Sequence, residues 1–204
     1  MSIKDLFRDK TRDIFHKKLT EINVDCSLSK RGVDEEKLFN PWHRVSLGII
    51  TINSKSPIKY INIVKHFGGK NDPKRWWFYF AVPSKTSQHK EDYIEVKSLR
   101  KKSLPVIGNV KSIYWKSNKN GKILADKFKQ DIDINSLSKK LGNLKVQSLH
   151  ENFSGYSIEL EFNRSPIPLI SAPNISTFTS DVSTTSPLLD ESLCLLYTSD
   201  AADE

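Results

Sequence analysis

The chain changes character at Arg164, and that break limits what it can fold into more than any motif does. All 32 Lys and Arg lie before residue 165. Beyond that point the chain reads Ser-Pro-Ile-Pro-Leu-Ile-Ser-Ala-Pro-Asn and then a run dominated by Ser and Thr. Such a stretch cannot bury enough apolar area to offset its conformational entropy, so residues 165–193 read as a disordered linker or tail. The last eleven residues, Cys194 to Glu204, are of another kind. They match one reading frame of the transposon-end adapter used to prepare DNA libraries, and are set aside as a non-native scar. The expectation is a natural chain that runs past Leu193 into a further C-terminal part. The foldable unit is then residues 1–164, a size at which one core buries roughly 70% of the unfolded chain's surface.

Within that unit the hydrophobic period switches several times. Ile3, Leu6, Phe7, Ile14, Leu19 and Ile22 recur at helical spacing, with Ser2 and Asp5 placed as an approximate capping box. Residues 24–42 read as irregular. Strand-like runs come next at Val45–Ile52, Ile58–Phe67, Arg75–Val82, Tyr93–Ser98 and Val106–Trp115, separated by short polar connections. Ile123, Leu124 and Phe128 then return to helical spacing. A second short helix carries Leu137 and Leu141, with Asp133 as its cap and Gly142 at its end. Leu144 and Val146 start another strand. Tyr156, Ile158, Leu160 and Phe162 alternate with Ser157, Glu159, Glu161 and Asn163, the pattern of a strand with one face buried and one wet. Strands, then helices, then strands predict an α+β fold. The expected form is a mainly antiparallel sheet of about five to seven strands, with an N-terminal helix and a two-helix insertion before the last two strands.

Charge narrows the classes of partner. Residues 1–164 hold 32 basic and 18 acidic side chains, a net of +14, and residues 55–129 alone hold 18 and 5, a net of +13. A field of that sign attracts polyanions: nucleic acid, acidic membrane surfaces or acidic proteins. A lysine-rich, soluble surface gives the same count without any ligand. With Cys194 set aside, Cys26 is the one cysteine left, so no internal disulfide and no Cys/His zinc spacing is available. The N-terminus breaks its apolar runs with charge every two or three residues, unlike a signal peptide. No stretch approaches the ~18 apolar residues of a membrane span. A cytoplasmic location is the expectation.

Several constellations carry possible chemistry. Lys74-Arg75-Trp76-Trp77-Phe78-Tyr79-Phe80 resembles, loosely, the aromatic strand of RNA-recognition modules, without the glycine that comes after the basic residue there. It reads either as a base-stacking platform, extended by Tyr114-Trp115-Lys116, or as a central strand buried on both faces. Tyr93-Ile94-Glu95-Val96-Lys97 resembles the metal-binding core of the PD-(D/E)xK nucleases. That resemblance implies Glu95 as a Mg²⁺ ligand, which prefers oxygen donors, and Lys97 as a residue positioning the attacking water. Glu35-Glu36-Lys37 has the same tripeptide pattern, and Asp72 and Asp92 are poorly placed as the upstream acid. Gly68-Gly69-Lys70 lacks the spaced first glycine and the subsequent Ser/Thr of a phosphate loop and reads as a turn. His16, His43, His66, His89 and His150 form no ligand spacing. No catalytic residue, metal or cofactor is expected.

The sequence therefore predicts a non-enzymatic binding domain for an anionic partner, with nucleic acid preferred because cations and aromatics occur together. Its contacts would be Lys97, Arg100, Lys101 and Lys102, supported by Lys74, Arg75, Lys111, Lys116 and Lys119. A peripheral-membrane or signalling domain using the first helix, and a metal-dependent nuclease using Glu95 and Lys97, stand as alternatives.

Overall fold

The computed structural model describes residues 9–39, 44–86, 89, 91–103, 109–151, 153–162 and 166. In chain order the elements are helix α1 (Thr11–Glu21), strand β1 (Cys26–Leu28), a 3-10 turn (Asp34–Lys37), β2 (Val45–Ile52), β3 (Tyr60–His66), β4 (Arg75–Pro83), β5 (Glu95–Lys102), β6 (Val110–Ser117), α2 (Lys122–Gln130), α3 (Ile132–Leu141), β7 (Leu144–Gln147) and β8 (Gly155–Phe162). The α+β arrangement is as expected: antiparallel strands, an N-terminal helix, and two helices ahead of the last two strands. The Ser2–Asp5 capping box, the tail and the adapter-like end lie outside the described residues.

All eight strands join one sheet in the order β1-β2-β3-β4-β8-β7-β5-β6, every pair antiparallel. β8, last in chain order among the described strands, sits near the middle, bridging the β1–β4 meander to the β7-β5-β6 group. Its alternation explains why. Ile158, Leu160 and Phe162 face the same side as Phe80, Phe78 and Trp76 of β4, their register partners. That side is the core, where Phe15 and Leu19 of α1 and Leu124, Ala125, Phe128, Ile134 and Leu137 of α2 and α3 cover it. Phe15 meets Phe78 edge-on with ring centroids 5.0 Å apart, and Phe162 lies 5.1 Å from Phe78 on the other side. Burying each such side chain contributes roughly 1.5–3 kcal/mol.

Local details depart from the sequence expectation in three places. The stretch read as irregular holds β1, a three-residue edge strand paired with β2; so short an element has no room to show a period. The second insertion helix is capped by Asp131, whose Oδ1 accepts from the Ile134 amide at 2.9 Å, and not by Asp133, which lies in the first turn. Asn135 fixes that choice. Its Nδ2 donates to the Phe128 carbonyl at 2.9 Å and its Oδ1 accepts from Trp115 Nε1 at 2.9 Å, stitching the helix break to β6. Finally, β2 is bulged between Ser46 and Ile49. Gly48 there has φ +105°, and a Cβ on it would lie 2.3 Å from Arg12 Nη1, so only glycine admits the buried Arg12 guanidinium under the sheet. Among the described residues, no helix is long and apolar enough to cross a membrane.

Candidate functional site

The helices occupy one face of the sheet, and the polar side chains of the strands meet on the other. Register partners there form a row running Asn62, Tyr79, Glu159, Lys145, Lys97, Lys116 across β3, β4, β8, β7, β5 and β6. The row divides into two parts. Over β3 and β4 the face is roofed by the segment after β1: Asn62 Nδ2 donates to the Leu38 carbonyl at 2.7 Å, and Phe39 packs with Val64, Trp77 and Tyr79. Over β5 and β6 none of the described residues covers the face, and Lys97, Lys116 and Lys101 are exposed and Tyr114 half-exposed.

Where the roof ends, a cleft of about 440 Å³ opens. Tyr79, Glu159 and Lys145 lie in it from the sheet, Arg44 enters ahead of β2, and Phe39, His150 and Phe153 form its aromatic side. Phe39 stands 4.5 Å from the His150 ring and 5.3 Å from Phe153, both edge-on. Arg44 lies over the Trp77 ring, 3.6 Å from its centroid, and donates to the Tyr79 hydroxyl. Burial holds the Tyr79 phenol well above its ordinary range, with the Glu159 charge adding to the shift against the opposing pull of Arg44.

Two titratable groups in the cleft are displaced toward neutrality. Burial pulls the His150 imidazole down to about 4, against its hydrogen bond to Gln147, so the ring is uncharged near neutral pH. Its Nε2 lies 3.1 Å from the Gln147 carbonyl, which only accepts, so Nε2 carries the proton. Burial likewise raises Glu159, with Lys145 and Arg44 pulling the other way. Among the described residues the Glu159 carboxylate accepts no hydrogen bond and forms no direct ion pair. Lys145 turns instead to Glu95, 3.2 Å away. Glu159 is half-buried, and a partly desolvated carboxylate left in that condition costs free energy.

The nine cations singled out from the sequence do not converge. Lys97, Lys101 and Lys116 share the helix-free face, where Lys97 lies 3.7 Å from Glu95. The Ser112 hydroxyl and then the Lys101 charge draw the Tyr114 phenol down. Arg100 alternates to the opposite face and reaches Asn143 Oδ1 at 3.3 Å. Lys102 and Lys111 flank a bulge at the end of the β5–β6 hairpin. Lys119 lies in the turn before α2. Lys74 precedes β4, and Arg75 is held by Asp72 at 3.4 Å and Glu161 at 3.5 Å.

The aromatic run of β4 takes the buried reading: Trp76, Phe78 and Phe80 lie under the helices, and Trp77 and Tyr79 are buried on the far face. Trp115 packs on Phe128 at 4.9 Å, leaving Tyr114 as the exposed ring of that pair. For the nuclease-like tripeptide, Glu95 is bridged between Lys145 and Lys97, while Asp72 sits three strands away, bound to His66 at 2.6 Å. Among the described residues no three His, Cys, Asp or Glu side chains are grouped to hold a metal ion.

Arg44, Lys145, His150 and Glu159 do not stand out in the sequence. Glu159 reads there as one polar position on a wet strand face and His150 as one scattered histidine. Only the pairing of β8 with β4 and β7 brings them together. Fold and site thus define an α+β domain with helices on one sheet face and a cleft beside a row of lysines on the other. Compared with known proteins, the chain matches no family model, no curated protein and no solved structure.

Proposed function

We propose that this chain is a non-enzymatic binding domain that takes a single-stranded nucleic acid across the β7-β5-β6 end of its helix-free face. One observation carries the reading: Lys145, Lys97 and Lys116 are consecutive register partners on three adjacent strands. Like charges directly opposite one another are destabilising, and Glu95 compensates only the first two. A phosphate chain laid along the row relieves that repulsion, and its affinity falls with salt as counterions are released. The half-exposed Tyr114, beside Lys101 and Lys116, offers a ring on which a base stacks. A cytoplasmic setting goes with this reading and suits the thiol of Cys26, which is free and which burial, then the Asp25 charge, holds above its ordinary range.

The test is anisotropy with a labelled single-stranded oligonucleotide over a series of salt concentrations. Replacing Lys97, Lys101 and Lys116 together by Ala should lower the slope of log affinity against log salt by about 2, at roughly 0.7 per phosphate contact. Replacing Arg100 and Lys111, off that row, should leave it unchanged. Equal slopes in both variants would remove the proposal.

A further inference from the structure

We infer that the cleft beside the lysine row is a pocket for a guanine base of the bound strand, with Glu159 reading its N–H edge. This rests on the single-strand reading above and adds what that reading lacks, a source of base preference.

The chemistry of the cleft selects the ligand. Three cations, Lys37, Arg44 and Lys145, and two carboxylates, Glu151 and Glu159, line the cleft, so neither a simple anion nor a simple cation satisfies all of them. What suits such a floor is a ligand presenting donors and an acceptor side by side. The aromatic side formed by Phe39, His150 and Phe153 asks that it be flat. Guanine alone among the common bases carries two adjacent N–H donors, at N1 and N2, which match the two oxygens of one carboxylate. Next to them O6 accepts, within the same edge, from Arg44 or Lys145. Adenine and cytosine put a ring acceptor beside their amino group, and uracil flanks its one N–H with two carbonyls. Each of these sets a lone pair against the carboxylate.

Size and position agree with this. A cleft of about 440 Å³ lies within the range of small-molecule pockets and admits a purine. Glu159 and Lys97 are separated by one intervening strand, β7, hence by roughly 10 Å at the usual strand spacing. That is about the distance from the pairing edge of a purine nucleotide to its phosphate. Lys145, in the cleft and in the row, is where base and backbone contacts join.

The experiment compares labelled octauridylate, the same octamer with one central guanosine, and the same with inosine, which lacks the 2-amino group. All three are titrated against the full chain. The guanosine octamer should bind about tenfold more tightly than octauridylate, the discrimination of one good bidentate pair, and inosine should lose most of that gain. In Glu159→Gln the ratio of guanosine-octamer to octauridylate affinity should fall to about one. That variant removes a desolvated charge at constant size, so folding is retained, and the inosine comparison needs no variant at all. Salt-dependent but equal binding of all three octamers would overturn the pocket and leave the lysine row standing, as would a guanosine preference that survives Glu159→Gln. Guanosine monophosphate is titrated as a fourth probe, and its binding with no octamer binding would remove the strand and leave the base pocket. Failure of every probe would remove both.

Discussion

His150 and Asp9 are each held, for different physical reasons, in a form that resists protonation. Burial takes His150 from its ordinary 6.5 down to about 4. Burial alone would raise Asp9, but hydrogen bonds from Lys65 and from the Thr11 hydroxyl and amide outweigh it, and its carboxyl is lowered from 3.8. At both groups the folded state binds fewer protons than the unfolded chain, so both contributions are present at neutral pH and lost on acidification. His150 acts first, as pH falls from 6.5 toward 4; Asp9 acts below the ordinary carboxylate range. Glu159, raised by burial, has the opposite sign: its contribution is present at low pH and lost as pH rises through its folded value. The raw slope therefore mixes the two, and a comparison of variants separates them. Between pH 8 and pH 5 the His150 contribution lost should be roughly 1–2 kcal/mol after allowance for solvent reaching the ring. His150→Phe, which keeps a ring against Phe39 and Phe153, should show that much less loss in urea unfolding. Equal losses in the two proteins would refute the assignment.

At the scale of elements, the insertion helices show which signals are local and which are not. Their existence can be read from the spacing of Leu124, Phe128, Leu137 and Leu141 and from Gly142, where α3 ends with φ +145°. The cap is less legible, because Asp131 and Asp133 are both good cap residues two positions apart. The choice is made by Asn135, whose side chain bridges the end of α2 to Trp115 on β6. Asp131→Ala should therefore cost about 1 kcal/mol, while Asp133→Ala should stay within roughly 0.5 kcal/mol. Thermal unfolding of the two variants distinguishes the caps, and a larger cost at Asp133 would reverse the assignment. The β4 aromatics make a related point. Period 2 identifies the strand from sequence, and five rings in a row fit burial on both faces. What covers the second face, Phe39 and the segment from Asp34, comes from the stretch with no period of its own. For that reason the roof of the cleft could not be read.

For the whole molecule, element order was legible because each helix and strand is written in a short window of period 3.6 or 2. Strand order was not, because it depends on contacts between distant windows. The cleft inherits that opacity: Arg44, Tyr79, Lys145 and Glu159 come from four separate stretches of chain and meet only through the sheet. The same topology has a consequence for folding. β4 and β7 do not pair with each other; each pairs with β8, which follows both in the chain and lies between them. Until Gly155–Phe162 is available, the β1–β4 meander and the β7-β5-β6 group have no shared ladder, and the core faces of Phe78 and Val146 have no strand joining them. Such non-local pairing slows folding and concentrates cooperativity in one strand. A chain ending at Glu151 should lose the single sigmoidal urea transition, with Trp76, Trp77 and Trp115 fluorescence showing a broad, shallow change. A chain ending at Pro166 should keep the midpoint of the 204-residue chain, the outcome expected of a sequence as rich in Ser, Thr and Pro as residues 167–193. Cooperative unfolding of the shorter chain would mean that the two halves of the sheet close on one another without β8, and the central place given to that strand would have to be abandoned.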